Sequence, residues 1–183
     1  MNVPVIIVLK GVKPTAEKRL HGDDLEFNRF HRALRLLMDS PLNKSKKMKI
    51  YIHTARNALV ELSYLLEVPE NPAELSDAMS YLLKRMVIKS SDGTVLGKVV
   101  KNPVTNHLPP NSTKIRLSPR GCKMSSKDLE SSLERGFVFF IDIGSEEERE
   151  EAEFDMKLSD FKLSPESCCA KITNMFEELL QIF

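Results

Sequence analysis

The sequence predicts an α+β protein of one compact domain, residues 1–183, in which a mainly antiparallel sheet of hairpins packs against about five helices. The segment 137–143 is almost entirely apolar and rich in β-branched and aromatic residues, which is typical of a strand buried on both faces. The segment 152–158 alternates apolar and polar residues, which indicates a half-buried strand. An Asp-Gly pair at 92–93 lies between two apolar runs and predicts a further hairpin. Because helices follow one another in blocks, an alternating parallel fold is not expected.

The amino-terminal third predicts one strand and one helix. The β-branched run 3–9 reads as a buried strand. Asp23 and Glu26 have the spacing of a capping box, so a helix is expected to begin there and to end near Asp39. Its apolar side chains recur at helical spacing and comprise Phe27, Phe30, Leu34, Leu37 and Met38.

The middle of the chain predicts a helical hairpin at about 54–87. The segment 48–53 before it is either a short strand or the first turn of a helix. Leucines at helical spacing predict a first helix over 54–67. Asn71 is a suitable N-cap for the second helix and Pro72 a suitable first residue. The short break between the two helices favours an antiparallel pair.

The following segments predict strands and a loop. The Asp-Gly turn joins strands at 86–89 and 94–100. The proline-containing segment 102–112 reads as a loop, and 113–118 alternates as another strand.

The carboxyl-terminal segment 136–183 is expected to form a hairpin-plus-helix unit. Before it, Ser125 caps a short helix that ends at Gly136. The strands 137–143 and 152–158 would pair as the hairpin. Ser164, followed by Pro165, then begins a last helix that packs by one apolar face.

Composition indicates a folded protein inside the cell. Hydrophobic residues make up 42% and charged residues 29% of the chain, as in ordinary globular domains. No apolar run has the roughly 20 residues of a membrane-spanning helix, and no basic region precedes the apolar run 3–9 as it would in a signal peptide. The three cysteines are an odd number, which favours a reducing setting, cytoplasmic or nuclear.

The net charge of +1 conceals a strongly uneven distribution. Residues 1–127 hold 22 Lys or Arg and 11 Asp or Glu, whereas residues 128–183 hold 5 and 15. Basic side chains that could bind an acidic partner or nucleic-acid phosphates are Arg29, Arg32, Arg35, Lys44, Lys46, Lys47, Lys49, Lys114, Arg116 and Arg120. The alternative is ordinary solvated surface. Because aromatic residues are sparse among them, any nucleic-acid contact is expected to lack sequence preference.

A dense acidic run lies between the strands 137–143 and 152–158. It could dock on the basic surface of another copy or of a partner, or it could be a solvated turn. The carboxylates of this acidic tip are Glu146, Glu147, Glu148, Glu150 and Glu151.

The sequence shows no catalytic, cofactor-binding or metal-binding motif. It lacks a glycine-rich phosphate loop, a nucleophile elbow and paired-cysteine zinc spacing. His21 with Asp23 and Asp24 could bind a hard metal ion, but Asp23 equally serves as a helix cap. Cys168 and Cys169 begin the last helix, where a helix N-terminus lowers a thiol pKa; the alternative is burial in the core.

These patterns together favour a non-catalytic adaptor or assembly subunit that binds protein partners or itself, with no small-molecule substrate. The second hypothesis is a viral or ribonucleoprotein-type structural or accessory protein that binds nucleic-acid phosphate backbones. The third is an enzyme of unfamiliar type that uses the histidine, aspartates or cysteines named above.

Overall fold

The computed structural model describes residues 4–14, 25–144 and 152–183. Within these ranges a single mixed sheet is formed by β1 Val5–Val12, β2 Met48–Thr54, β3 Leu59–Leu62, β4 Val87–Lys89, β5 Val95–Val100, β6 Thr113–Cys122, β7 Phe137–Asp142 and β8 Phe154–Met156. The helices are α1 Leu25–Asp39, α2 Pro41–Lys44, α3 Pro72–Arg85, α4 Ser126–Ser132 and α5 Pro165–Leu180. None of these helices is long and apolar enough to cross a membrane.

The sheet is mostly parallel, so the predicted mainly antiparallel sheet is wrong. Its strand order is β4-β5-β3-β2-β1-β7-β6-β8. The strands β2, β1, β7, β6 and β8 run parallel to one another, and β3, β5 and β4 form an antiparallel wing. At the centre, Ile7 pairs with Ile50 of β2 and with Phe139 of β7. Strands of a parallel sheet are buried on both faces and therefore have continuous apolar runs. Such runs in this sequence were the feature that indicated parallel pairing.

The hairpin predicted for 137–143 and 152–158 does not form. Both segments are strands, but β6 lies between them and pairs in parallel with each. Charge complementarity favours this arrangement across β6 and β8. Lys114 Nζ lies 2.9 Å from Glu153 Oε1, and Arg116 forms a two-pronged ion pair with Asp155.

The helical hairpin predicted at 54–87 does not form, although its second helix is present as α3. Residues 59–62 form β3 rather than a helix and pair antiparallel with β2. A tight turn joins the two strands, in which Ala58 N–H donates to the Thr54 side-chain oxygen at 2.9 Å. Leu59 then packs on one face of the sheet and Val60 on the other. Tertiary pairing therefore overrides the helical spacing of the leucines.

Other local predictions are confirmed. The side chains of Asn71, Ser125 and Ser164 accept hydrogen bonds at the starts of α3, α4 and α5. The β4–β5 hairpin is antiparallel as predicted.

The main core lies on one face of the sheet, under α1, α3 and α5. The rings of Phe137, Phe139 and Phe176 meet there, with centroids 5.3 to 6.2 Å apart. A smaller apolar cluster covers the opposite face and includes Val104 and Leu108 from the connection between β5 and β6. The parallel centre is therefore covered on both sides, which leaves the ends of its strands as the place for a cleft.

Candidate functional site

A cleft of about 940 Å³ lies at the carboxyl ends of β6 and β7. Its walls come from the end of β7 at 140–144, the end of β6, the segment 158–163 and the first turns of α1 and α5. Ligands of open parallel sheets bind beyond the carboxyl ends of the strands. The volume is within the range of roughly 300–1,000 Å³ found for small-molecule sites.

An irregular stretch of β6 projects into the cleft. Leu117 and Cys122 both pair with Met156, so the four residues 118–121 between them bulge out of the ladder. Ser118, Pro119 and Arg120 of this bulge line the cleft. The bulge therefore directs part of an otherwise regular strand into the cleft.

Two glycines, Gly11 and Gly144, lie close together at the carboxyl ends of β1 and β7. Gly11 has a φ of +65°, a conformation that favours glycine. A Cβ atom on Gly144 would lie 2.9 Å from the Gly11 carbonyl oxygen and 2.7 Å from Glu26 Oε1. Glu26 in turn pairs with Lys13, whose Nζ is 3.1 Å from Oε2. The first turn of α1 is thus joined to the ends of both strands.

The cleft combines apolar walls with a few charged groups. Leu117, Leu158, Phe161 and Leu163 supply apolar surface. The carboxylates are those of Glu26, Asp142 and Asp155, and the cations are Arg29, Arg116, Arg120 and Lys162. Arg116 donates to both oxygens of Asp155, from Nε at 2.9 Å and from Nη2 at 2.7 Å. Such a lining suits a ligand with an apolar ring system and several polar substituents.

Three of the basic residues predicted as binding groups meet at this cleft, namely Arg29, Arg116 and Arg120. Arg32 and Arg35 lie further along α1, beside a second hollow of about 480 Å³ that His31 and Glu70 also line. Arg32 Nε is 3.1 Å from Glu166, and Arg35 Nη2 is 3.5 Å from Glu70. The exposed side of α1 therefore carries an arginine ridge (Arg29, Arg32 and Arg35) that begins at the cleft.

The lysines predicted to share this role lie elsewhere. Because β2 runs parallel to β1 and β7, its amino end and the lysines before it are at the edge opposite the cleft. Lys44 Nζ is 2.5 Å from Asp39 and holds the pKa of that carboxyl below its usual value. Lys46 lies over the Tyr64 ring at 4.9 Å, and Lys49 is 3.1 Å from Glu61. Lys47 is exposed beside them.

Some predicted site residues lie outside the described part of the chain. They are His21, Asp23 and Asp24, the candidate metal ligands for which a helix cap at Asp23 is the alternative, and Glu146, Glu147, Glu148, Glu150 and Glu151 of the acidic tip. In the described ranges, no group of three or more His, Cys, Asp or Glu side chains is arranged to hold a metal ion.

The two cysteines of α5 are not activated. Burial, followed by the nearby Glu166 carboxylate, raises the pKa of the Cys168 thiol to about 11. Cys169 is fully buried, and burial raises its pKa further, with smaller contributions from Cys168 and Glu166. Desolvation therefore outweighs the helix N-terminus, and the hypothesis of a cysteine nucleophile is not supported.

Sequence reasoning missed Asp142, Gly144 and the segment 158–163. The available signal was a polar residue at the end of a buried apolar run, followed closely by glycine. It becomes informative only when the strand is known to be parallel, because parallel strands collect their carboxyl ends at one edge. Because 137–143 was predicted to pair in an antiparallel hairpin, no shared edge of carboxyl ends was expected there.

Comparison with known proteins gives consistent matches. The chain is 34% identical over 159 residues to the ribosomal RNA small subunit methyltransferase mra1 of Schizosaccharomyces pombe, covering 83% of this chain and 44% of that protein. It is 33% identical over 152 residues to the ribosomal RNA small subunit methyltransferase NEP1 of Homo sapiens, covering 81% and 62%. The chain thus spans about half the length of these relatives.

The fold is that of a solved structure, the Nep1 of Archaeoglobus fulgidus bound to S-adenosylhomocysteine. The TM-score is 0.71 at 17% identity, and the match covers 84% of this chain and 71% of that one. The sequence pattern of the EMG1/NEP1 methyltransferase family matches residues 22–177.

These matches correct the functional predictions. The non-catalytic adaptor or assembly subunit, the viral structural protein and the prediction that the protein is not an enzyme are all contradicted by a family of methyltransferases. The expected absence of a small-molecule substrate conflicts with a match to a family of methyltransferases, and the Archaeoglobus fulgidus protein is itself bound to S-adenosylhomocysteine. The intracellular location is confirmed, since the relatives are named for ribosomal RNA. With residues 22–177 of its 183 matched, the chain belongs to the EMG1/NEP1 methyltransferase family.

Proposed function

We propose that this chain is an S-adenosylmethionine-dependent RNA methyltransferase whose donor site is the cleft at the ends of β6 and β7. The observation that supports this proposal is the position of the cleft at the carboxyl ends of parallel strands. The fold is shared with a protein bound to S-adenosylhomocysteine. The relatives' names indicate small-subunit ribosomal RNA as the substrate class.

The residues of the cleft fit the donor. Leu117, Leu158 and Leu163 provide apolar walls for an adenine ring, and the backbone at 140–144 offers hydrogen-bonding groups at its edge. Asp142 supplies a carboxylate of the kind that binds ribose hydroxyls or an ammonium group. When bound, S-adenosylmethionine supplies an electrophilic methyl group. The role of the chain is then to orient the donor and the acceptor RNA and to exclude water between them.

The positions of the arginines indicate where the RNA would bind. Arg29 and Arg120 line the cleft, and the arginine ridge extends from it along α1. Guanidinium groups bind phosphates through paired hydrogen bonds. Residues three apart on a helix surface have Cβ atoms roughly 5–6 Å apart, so the ridge can contact successive phosphates of one strand. The half-buried Glu166 carboxylate holds Arg32 in place, and the exposed Glu70 carboxylate holds Arg35, until RNA displaces them.

The test is binding of S-adenosylhomocysteine by calorimetry, followed by transfer of a labelled methyl group to small-subunit ribosomal RNA. We expect saturable binding with one site and labelling of small-subunit RNA in preference to large-subunit RNA. Asp142→Ala should lower the affinity at least tenfold, because it removes the carboxylate at the end of β7. Asp77→Asn, which changes an exposed carboxylate on α3, is the matched control. Absence of S-adenosylhomocysteine binding by the folded wild-type protein would overturn the proposal.

A further inference from the structure

We propose that Phe161 is a positioning residue that stacks on a nucleobase of the RNA at the mouth of the cleft. This inference rests on the proposed function, because it names how the same site holds its acceptor.

Phe161 is exposed to an unusual degree for a phenylalanine. Its side chain is 77% exposed, whereas Phe27, Phe30, Phe139 and Phe176 are at most 1% exposed. An exposed aromatic ring forgoes the stabilisation that burial of its apolar surface would give. Single exposed apolar residues are common on protein surfaces, so the position of this ring is what matters. Phe161 lies in the wall of the cleft.

The backbone that carries Phe161 is anchored on both sides. Leu158 packs against the core before it, and Leu163 is half-buried after it. The Phe161 N–H donates to Ser159 Oγ at 3.2 Å, and Lys157 Nζ lies 2.8 Å from Asp160 Oδ1. The ring is therefore presented to solvent from a fixed backbone, which lowers the entropic cost of binding a flat ligand against it.

Cations line the same cleft as the ring. Lys162 is its neighbour in sequence, and Arg29 and Arg120 line the same cleft. A positively charged groove with an exposed aromatic ring is the combination that binds single-stranded nucleic acid, with phosphates on the cations and a base on the ring. The adenine of the methyl donor is the other flat ring in this site. The high exposure of Phe161 favours the RNA base, because the donor is expected among the more buried groups of the cleft.

The experiment compares Phe161→Ala and Phe161→Trp with wild type, and uses Phe183→Ala as the control for loss of an exposed phenylalanine. For Phe161→Ala we expect the KM for RNA to rise about 5- to 150-fold, the range for loss of one base–aromatic stack. We expect kcat and the Kd for S-adenosylhomocysteine to stay within about twofold. Phe161→Trp and Phe183→Ala should keep the KM of wild type within about threefold.

A second readout does not depend on catalysis. An RNA with 2-aminopurine at the methylated position, or scanned along the substrate where that position is unmapped, changes its fluorescence when the base unstacks from its neighbours and stacks on an aromatic ring. We expect one position to respond to wild type and to Phe161→Trp but not to Phe161→Ala.

Two results would overturn the inference. One is a KM for RNA and a fluorescence response that are unchanged in Phe161→Ala. The other is a fall in S-adenosylhomocysteine affinity with RNA affinity unchanged, which would assign the ring to the donor. Failure of the proposed function is a different result, since wild type itself would then not bind S-adenosylhomocysteine, and the fluorescence response to RNA would still decide the role of Phe161.

Discussion

Cys168 lies on the first turn of α5, in the wall of the cleft, and its surroundings keep the thiol protonated. A thiol whose pKa is raised to about 11 is almost entirely neutral at physiological pH. The same position read from sequence suggested activation by the helix N-terminus. The difference is burial, together with Glu166, and neither can be quantified from the order of residues alone.

This environment predicts the order in which the cysteines react. Cys122 is exposed and should be alkylated first at pH 8. Cys168 should react only on unfolding or as the pH approaches 11, and the fully buried Cys169 only on unfolding. Peptide mass spectrometry after a short exposure to iodoacetamide measures this. Cys122→Ser should abolish the fast reaction. Rapid modification of Cys168 in the folded protein at pH 8 would contradict the prediction.

At the scale of the elements, the bulge of β6 leaves no space for a side chain at Gly121. A Cβ atom on Gly121 would lie 2.6 Å from the carbonyl carbon and oxygen of Asp155, which are backbone atoms and cannot rotate away. The same Asp155 pairs with Arg116 through its side chain. Gly121 thus allows β8 to approach β6 where the cleft wall is formed.

Substituting Gly121 by Val should separate β6 from β8. We expect the free energy of unfolding to fall by about 1–3 kcal/mol from overpacking and the affinity for S-adenosylhomocysteine to fall with it, because Arg116 and Arg120 would move. Chemical denaturation and calorimetry measure the two effects. Asp77→Asn, an exposed change on α3 outside the cleft lining, should leave both unchanged. A Gly121→Val protein with wild-type stability would show that the two strands can separate without cost.

The elements also show what sequence can predict. Helix caps, the buried run at 137–143 and the β4–β5 hairpin were recoverable because their causes are local: a side chain that accepts an N–H, an apolar run or a two-residue turn. The direction in which strands pair could not be predicted. The alternating residues of a strand have the same pattern beside a parallel or an antiparallel neighbour. The insertion of β6 between β7 and β8 depends on contacts such as Arg116 with Asp155, which are 39 residues apart.

At the scale of the whole molecule, most of the basic residues predicted as binding groups lie in two sets at opposite edges of the sheet. Arg29, Arg116 and Arg120 meet at the carboxyl edge, and the lysines near β2 lie at the amino edge. The number of basic residues is known from the sequence, but the edge of the sheet at which each one lies is not. That assignment depends on which strands run parallel. The assignment of residues 1–183 to one domain stays a prediction.

The division predicts different salt dependences for two triple variants. Replacing the arginine ridge by glutamine should lower the slope of log affinity for single-stranded RNA against log salt by about 2, at roughly 0.7 per lost phosphate contact. The matched control replaces Lys44, Lys46 and Lys47 by glutamine and should leave the slope unchanged. Fluorescence anisotropy between about 50 and 200 mM salt measures both, with thermal melting to verify folding. An equal loss in the two variants would place RNA on both edges.

The central position of β1 has a consequence for how the protein is made. One edge of β1 pairs with β2, which leaves the ribosome soon after it, but the other edge waits for β7, whose pairing residues begin at Phe137. Until then a strand of Val, Ile and Leu has one unpaired edge, the kind of surface at which nascent chains associate. Residues 158–168 complete the cleft, so a ligand for it can stabilise only a chain whose synthesis has passed this segment.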